Sequence, residues 1–142
     1  MTDDDLELEK KNHVTLVGTE FTARFMDAET HRIFVDRLRR AQKIGVNMAF
    51  GTDVIWTSPG ETRGTLAIDQ LTSWQEAGVP SVDTLRALTV NAARLLGVDQ
   101  ERGFLKPGFA ADIIATPENP ADRIDTLRSV SFVMKDGVII KH

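Results

Sequence analysis

The chemistry this chain can offer is concentrated in few side chains. Asp53 ends the run Ala49-Phe-Gly-Thr-Asp53, directly after a short apolar stretch that reads as a buried strand. A carboxylate just past the C-terminal end of a parallel strand lies where α/β folds place their sites. There it could ligate a divalent metal or take a proton from metal-bound water. The alternative is an Asp that caps its own turn through a local hydrogen bond. Glu20, after an earlier strand, could line the same mouth, or belong to an ordinary polar loop. The segment from Trp56 to Arg63 could form a substrate lid, with Trp56 as an apolar wall and Arg63 as an anion anchor, or simply connect two elements.

Histidine adds little. The chain has His13, His31 and His142 and no His-x-His pair. His13 stands before a strand without a partner at ligand spacing, His31 sits beside Arg32 on a helix and is expected at the surface, and His142 is terminal. The basic run Arg37, Arg39, Arg40 and Lys43 reads as a solvated helix face. Cysteine is absent, which excludes disulfides and thiolate metal sites.

The elements that must position these groups follow from periodicity and punctuation. Thr2, with Asp5 three residues on, signals a capped acidic helix that stops at Asn12. Residues 13–19 are rich in β-branched side chains and read as a strand. Asp27 caps a helix whose apolar positions Phe34, Leu38, Ala41 and Ile44 recur at helical spacing, and Gly45 ends it. Val46–Phe50 is a short strand with no charge, as expected for burial on both faces. Residues 56–64 form a loop, and Thr65–Ala77 a helix. Ser81 opens another helix, with Val82, Leu85, Leu88, Ala92 and Leu95 as its apolar stripe and Gly97 as its stop. Lys106-Pro-Gly108 is a turn, Ala111–Ala115 a strand, and Asn119-Pro120 starts a connection. Asp136-Gly137 between two apolar runs is a strong two-residue hairpin signal. Strand–helix alternation over residues 1–97 and short β-runs over 103–142 predict an α/β chain in two parts.

Composition narrows the partners. The chain is 142 residues long, 42% hydrophobic and 27% charged, enough to bury a core. A formal net charge of −4 gives no basic excess for nucleic acid. No apolar run reaches the ~18 residues of a membrane span, and the acidic start at Met1 encodes no secretory signal. Compartment stays open. A small independent enzyme using Asp53 for phosphoryl transfer would need a phosphate-cradling loop, and no such motif is present.

Several of these segments together resemble the amidohydrolase superfamily, in the branch with imidazolonepropionase-like and dipeptide-hydrolysing members. Ala49-Phe-Gly-Thr-Asp53 resembles the end of its eighth barrel strand. Leu85–Gly97 resembles the helix that follows the active site, and Gly103–Asp112 the return into its β-sandwich domain. Asn119-Pro120 and Val133–Val138 resemble the closing strands. The resemblance runs over nearly the whole chain. It implies the C-terminal part of a (β/α)8 metal-dependent hydrolase barrel, its last two strands and helices, over residues 1–102. Residues 103–142 would be β-strands of the composite sandwich. It also implies one or two divalent metals, usually zinc, and cleavage of C–N bonds in amides, cyclic amides or dipeptides. The family binds its metal through a His-x-His pair, a carboxylated Lys or Glu, two single His residues and a final Asp. Asp53 alone matches that set, in a role that binds metal and shuttles the proton from the attacking water to the leaving nitrogen. Glu20, Trp56 and Arg63 would then face substrate. The expectation is a fragment whose companion ligands come from a missing N-terminal barrel part. Alone it would be inactive, hold no metal, and be marginally stable or self-associating. A degenerate homologue kept as an assembly module is the competing expectation.

Overall fold

A computed structural model describes all 142 residues. They form two compact units, Met1–Pro80 and Ser81–His142. The line drawn at residue 102 falls inside the second unit, because the helix that opens at Ser81 packs against residues near 124.

The first unit is built on local signals. Helix α1 (Asp3–Lys11) starts with a reciprocal capping box between Thr2 and Asp5, and three aspartates in its first turn meet the positive end of the helix dipole. Strand β1 (Thr15–Gly18) pairs in parallel with β2 (Asn47–Phe50), Thr15 opposite Asn47 and Gly18 opposite Phe50. Between them runs α2 (Ala28–Ile44), capped by Asp27 and closed by Gly45 at φ 83°, a left-handed position suited to glycine. Its buried residues are His31, Val35, Leu38 and Ala41. The inward face is therefore turned slightly from the expected one, with Phe34 and Ile44 at its margins. Leu6, Leu38, Leu66, Leu71 and Trp74 are almost wholly removed from solvent and form the core. Helix α2 packs on α1 and on α4 (Leu71–Glu76).

The single helix expected over 65–77 is two. Helix α3 (Arg63–Asp69) opens with a Thr62–Thr65 capping box and meets α4 at Gln70. The Gln70 side chain donates to the Thr52 carbonyl at 2.8 Å, a tertiary bond that periodicity cannot reveal. The first strand is also shorter than expected. His13 adopts φ 55° in the turn after α1, outside any strand.

In the second unit α5 (Ser81–Leu88) and α6 (Val90–Leu95) are separated at Thr89, whose φ and ψ of −123° and −84° leave the helical region. Its hydroxyl donates to the Leu85 carbonyl at 2.7 Å, a local bond that competes with the helical ladder. The expected stripe is correspondingly broken: Thr84, Ala87 and Ala93 are buried, whereas Val82 and Leu95 are exposed. The Ser81 hydroxyl donates to the Asp122 carbonyl and accepts from the Ile124 amide, joining α5 to a 3-10 helix at Ile124–Ser129 that the sequence did not reveal. Strands β3 (Ile113–Ala115), β4 (Phe132–Lys135) and β5 (Val138–Lys141) form an antiparallel sheet in that order. The β4–β5 hairpin turns through Asp136 and Gly137 at φ 48° and 79°, the paired positive values of a type I′ turn. No helix is long and apolar enough to cross a membrane.

Candidate functional site

The C-terminal ends of β1 and β2 approach each other closely. The Gly51 amide donates to the Gly18 carbonyl at 2.9 Å, continuing the ladder past the last paired residue. A side chain at Gly51 would meet Val17 Cγ1 at 2.7 Å, so only glycine lets the ends come together. Two residues on, Asp53 is exposed and adopts φ 47°. Asp is among the few non-glycine residues that enter this region. Its carboxylate forms no hydrogen bond to the turn, so the local-capping alternative has no bond to stand on.

Glu20 is elsewhere than on an open mouth. Its side chain is 0% exposed, and Arg37 Nη2 donates to Oε1 at 2.5 Å. The second oxygen, Oε2, has no partner. Burial pushes the Glu20 carboxyl above its ordinary range, and the Arg37 guanidinium partly opposes this. Arg37 therefore leaves the solvated basic face to which its spacing assigned it. Its neighbour Arg40 pairs with Asp36 and Asp3. His31 departs from expectation in the same way. It is 8% exposed, with Nδ1 3.1 Å from the Phe21 carbonyl and Nε2 2.6 Å from Glu76 Oε2. Both corrections share a cause. One side of α2 faces the loop after β1, and polar groups that reach that loop are taken out of solvent.

Trp56 is half-buried and packs edge-on against Phe21 and Phe25, with ring centroids 5.0 and 5.6 Å apart. Sequence reasoning missed both phenylalanines. Their Phe-x-x-x-Phe spacing in a loop after a strand was the available signal. Arg63 is exposed as the first residue of α3, and His13 and His142 are also exposed. The structure thus brings Trp56 and the loop after β1 together, leaves Asp53 and Arg63 open to solvent, and withdraws Glu20.

These donors do not make a metal centre. No group of three or more His, Asp or Glu side chains is placed to hold a cation. A lone carboxylate falls short of the roughly three protein ligands of a catalytic zinc site.

Residues 7–141 match the family model described as the amidohydrolase family. The chain belongs to that family. Ochratoxinase of Aspergillus niger is 33% identical over 105 residues, which is 71% of this chain and 21% of the ochratoxinase. The crystal structure of a Xaa-Pro dipeptidase with bound methionine superposes with a TM-score of 0.80 at 28% identity, covering 100% of this chain and 38% of the dipeptidase. Molinate hydrolase superposes with a TM-score of 0.82 at 22% identity, covering 99% and 35%, a likeness of fold alone. This amidohydrolase chain therefore spans about a fifth of the curated relative's length and over a third of the solved structures.

Proposed function

We propose that this chain is the C-terminal part of a metal-dependent amidohydrolase that cleaves C–N bonds in a small molecule such as an amide, cyclic amide or dipeptide. In this reading β1 and β2 are the last two strands of its barrel, and β3 to β5 belong to its composite sandwich. The supporting observation is Asp53: an exposed, unbonded carboxylate on a left-handed residue just past a parallel strand, in a chain that matches the family over residues 7–141.

The metal that this carboxylate would help to hold would supply a polarised water. Asp53 would contribute one ligand and accept a proton, and the other ligands would come from polypeptide outside this sequence. The donors present in this chain do not by themselves form the metal site. Trp56 would offer an apolar wall, and Arg63 would attract a substrate carboxylate, consistent with the amino acid bound in the related dipeptidase.

In the intact parent enzyme, Asp53→Asn should lower turnover by at least about 10²-fold, the lower end for losing a general base. Near-normal turnover would overturn the assignment. The 142-residue chain alone should be inactive and retain no zinc after dialysis; one tightly held zinc per chain would refute the fragment reading. A second reading, an assembly module without activity, is favoured by the apolar side chains left exposed on the second unit, among them Leu96, Leu105 and Ile140. The DNA upstream separates the two: an in-frame His-x-His codon pattern supports the enzyme, and a ribosome-binding site at Met1 supports the module.

A further inference from the structure

The residues from Gly51 to Thr62 contain no helix or strand. A free loop of that length would sample many conformations, yet Asp53 within it holds φ 47°. A non-glycine residue keeps such a backbone only where its surroundings over-determine it. Three attachments supply that constraint. At the start, Gln70 Nε2 donates to the Thr52 carbonyl at 2.8 Å. In the middle, Trp56 lies against Phe21 and Phe25. At the end, Arg24 Nη1 and Nη2 each donate to one oxygen of Glu61 at 2.7 Å.

The Arg24–Glu61 fork has features of a latch. It joins the loop after β1 to the loop after β2, and its guanidinium carbon lies 4.8 Å from the Phe25 ring centre, beside the aromatic group it closes over. Phe21 is itself anchored, its carbonyl accepting from Ser73 Oγ at 3.3 Å and lying 3.1 Å from His31 Nδ1. One loop is therefore fixed to the helices, and the fork fixes the other loop to it. Two parallel bonds require the planar guanidinium, which a lysine cannot replace.

We infer that Arg24 and Glu61 are positioning residues: their fork clamps Trp56 between Phe21 and Phe25 and so fixes the loop that presents the Asp53 carboxylate. The inference rests on the reading of Asp53 given under the proposed function. An exposed ion pair adds little to global stability, so its loss should register locally.

The test uses the 142-residue chain and its two tryptophans, Trp56 in the clamp and Trp74 in the core. Indole NMR signals are assigned with Trp56→Phe. In Glu61→Gln, Arg24→Met and Arg24→Lys, the Trp56 indole should shift towards its random-coil position and its heteronuclear NOE should fall. The Trp74 indole and the urea midpoint should barely move. Reversing both charges, Arg24→Glu with Glu61→Arg, should restore the Trp56 signal that each single reversal loses. An unchanged Trp56 indole in all three variants would overturn the inference. So would Trp56 and Trp74 signals changing together in step with lost stability. In the intact parent, Glu61→Gln should lower kcat by up to about 10²-fold with KM little changed, as expected for a misplaced group. A loosened loop alongside a fully active Asp53→Asn parent would leave the latch standing and remove only the role of Asp53. A fixed loop alongside an inactive Asp53→Asn parent would do the reverse.

Discussion

Two carboxylates, one in each unit, sit under opposite physics. Glu20 in the first unit is fully buried with a single cation, and burial raises its pKa against the pull of Arg37. Asp112 in the second unit lies near the surface among several donors. The Asp136 amide, the Lys135 ammonium and the Arg102 guanidinium hold its pKa down to about 2. The contrast extends to the strands. Leu16, Met48 and Ala49 of β1 and β2 are buried, whereas every residue of β5 is exposed. The first unit derives its order from desolvation, with one charge held inside at a cost. The second has few buried side chains and relies more on hydrogen bonds and surface ion pairs, which water and salt weaken.

The largest effect should follow from removing the partner of the buried charge. Arg37→Met leaves Glu20 without a cation, and breaking a buried pair from one side costs about 3–5 kcal/mol. Urea unfolding should show that loss, and adding Glu20→Gln should recover much of it. The sign with pH follows from the raised pKa of Glu20. Its native form binds protons more readily than the unfolded chain, so its contribution is full below the ordinary carboxylate range and is lost as pH rises through the raised value. The deficit of Arg37→Met should therefore grow once pH rises past the raised value of the paired Glu20, where only the wild-type native state gains from the ionised pair. A loss under about 1 kcal/mol that is flat in pH would mean water reaches Glu20, and that the contrast between the units is smaller than its burial implies.

The same contrast decides what could be read from sequence. Features set by neighbours in the chain were legible: the Thr2–Asp5 box, the Asp27 cap, the stop at Gly45 and the Asp136-Gly137 hairpin. Each is local chemistry with a fixed spacing. Features set across the first unit were hidden. His31 and Arg37 carry the charge pattern of a surface helix, and only the loop after β1 folding over them takes them out of water. The break at Gln70 depends on a carbonyl at Thr52, and the Trp56 clamp on rings contributed by another loop. Asp53 was legible as a position, at the end of an apolar strand. A role for it came from family resemblance, since spacing alone favoured turn capping over metal binding.

Asp112 should give the next effect, at the acid end. Its lowered pKa means the native state releases its proton more readily than the unfolded chain. The stabilisation is present above about 3.8 and disappears as pH falls towards about 2. Asp112→Asn should remove that acid-limb dependence from the unfolding of the second unit. It should also reduce the sensitivity to salt that the Arg102 and Lys135 pairs confer. Circular dichroism followed from pH 5 to pH 2 would show this, and an unchanged acid limb in the variant would assign the stabilisation to other groups.

The smallest change in stability should come from β5, where the two units differ most. Ile140 is 66% exposed on an edge strand, so Ile140→Lys should alter the unfolding free energy by no more than about 0.5 kcal/mol. Its effect on association should be larger. Val138, Ile139 and Ile140 present consecutive apolar side chains beside unpaired backbone groups, the arrangement on which another strand can add. A charge in the middle of that edge is the device natural sheets use to prevent such pairing. Sedimentation velocity over a concentration series should therefore show the parent sequence associating and Ile140→Lys remaining monomeric. If both sediment alike, the exposed strand is not the adhesive surface, and the apolar groups around Leu96 and Leu105 become the place to introduce the next charge.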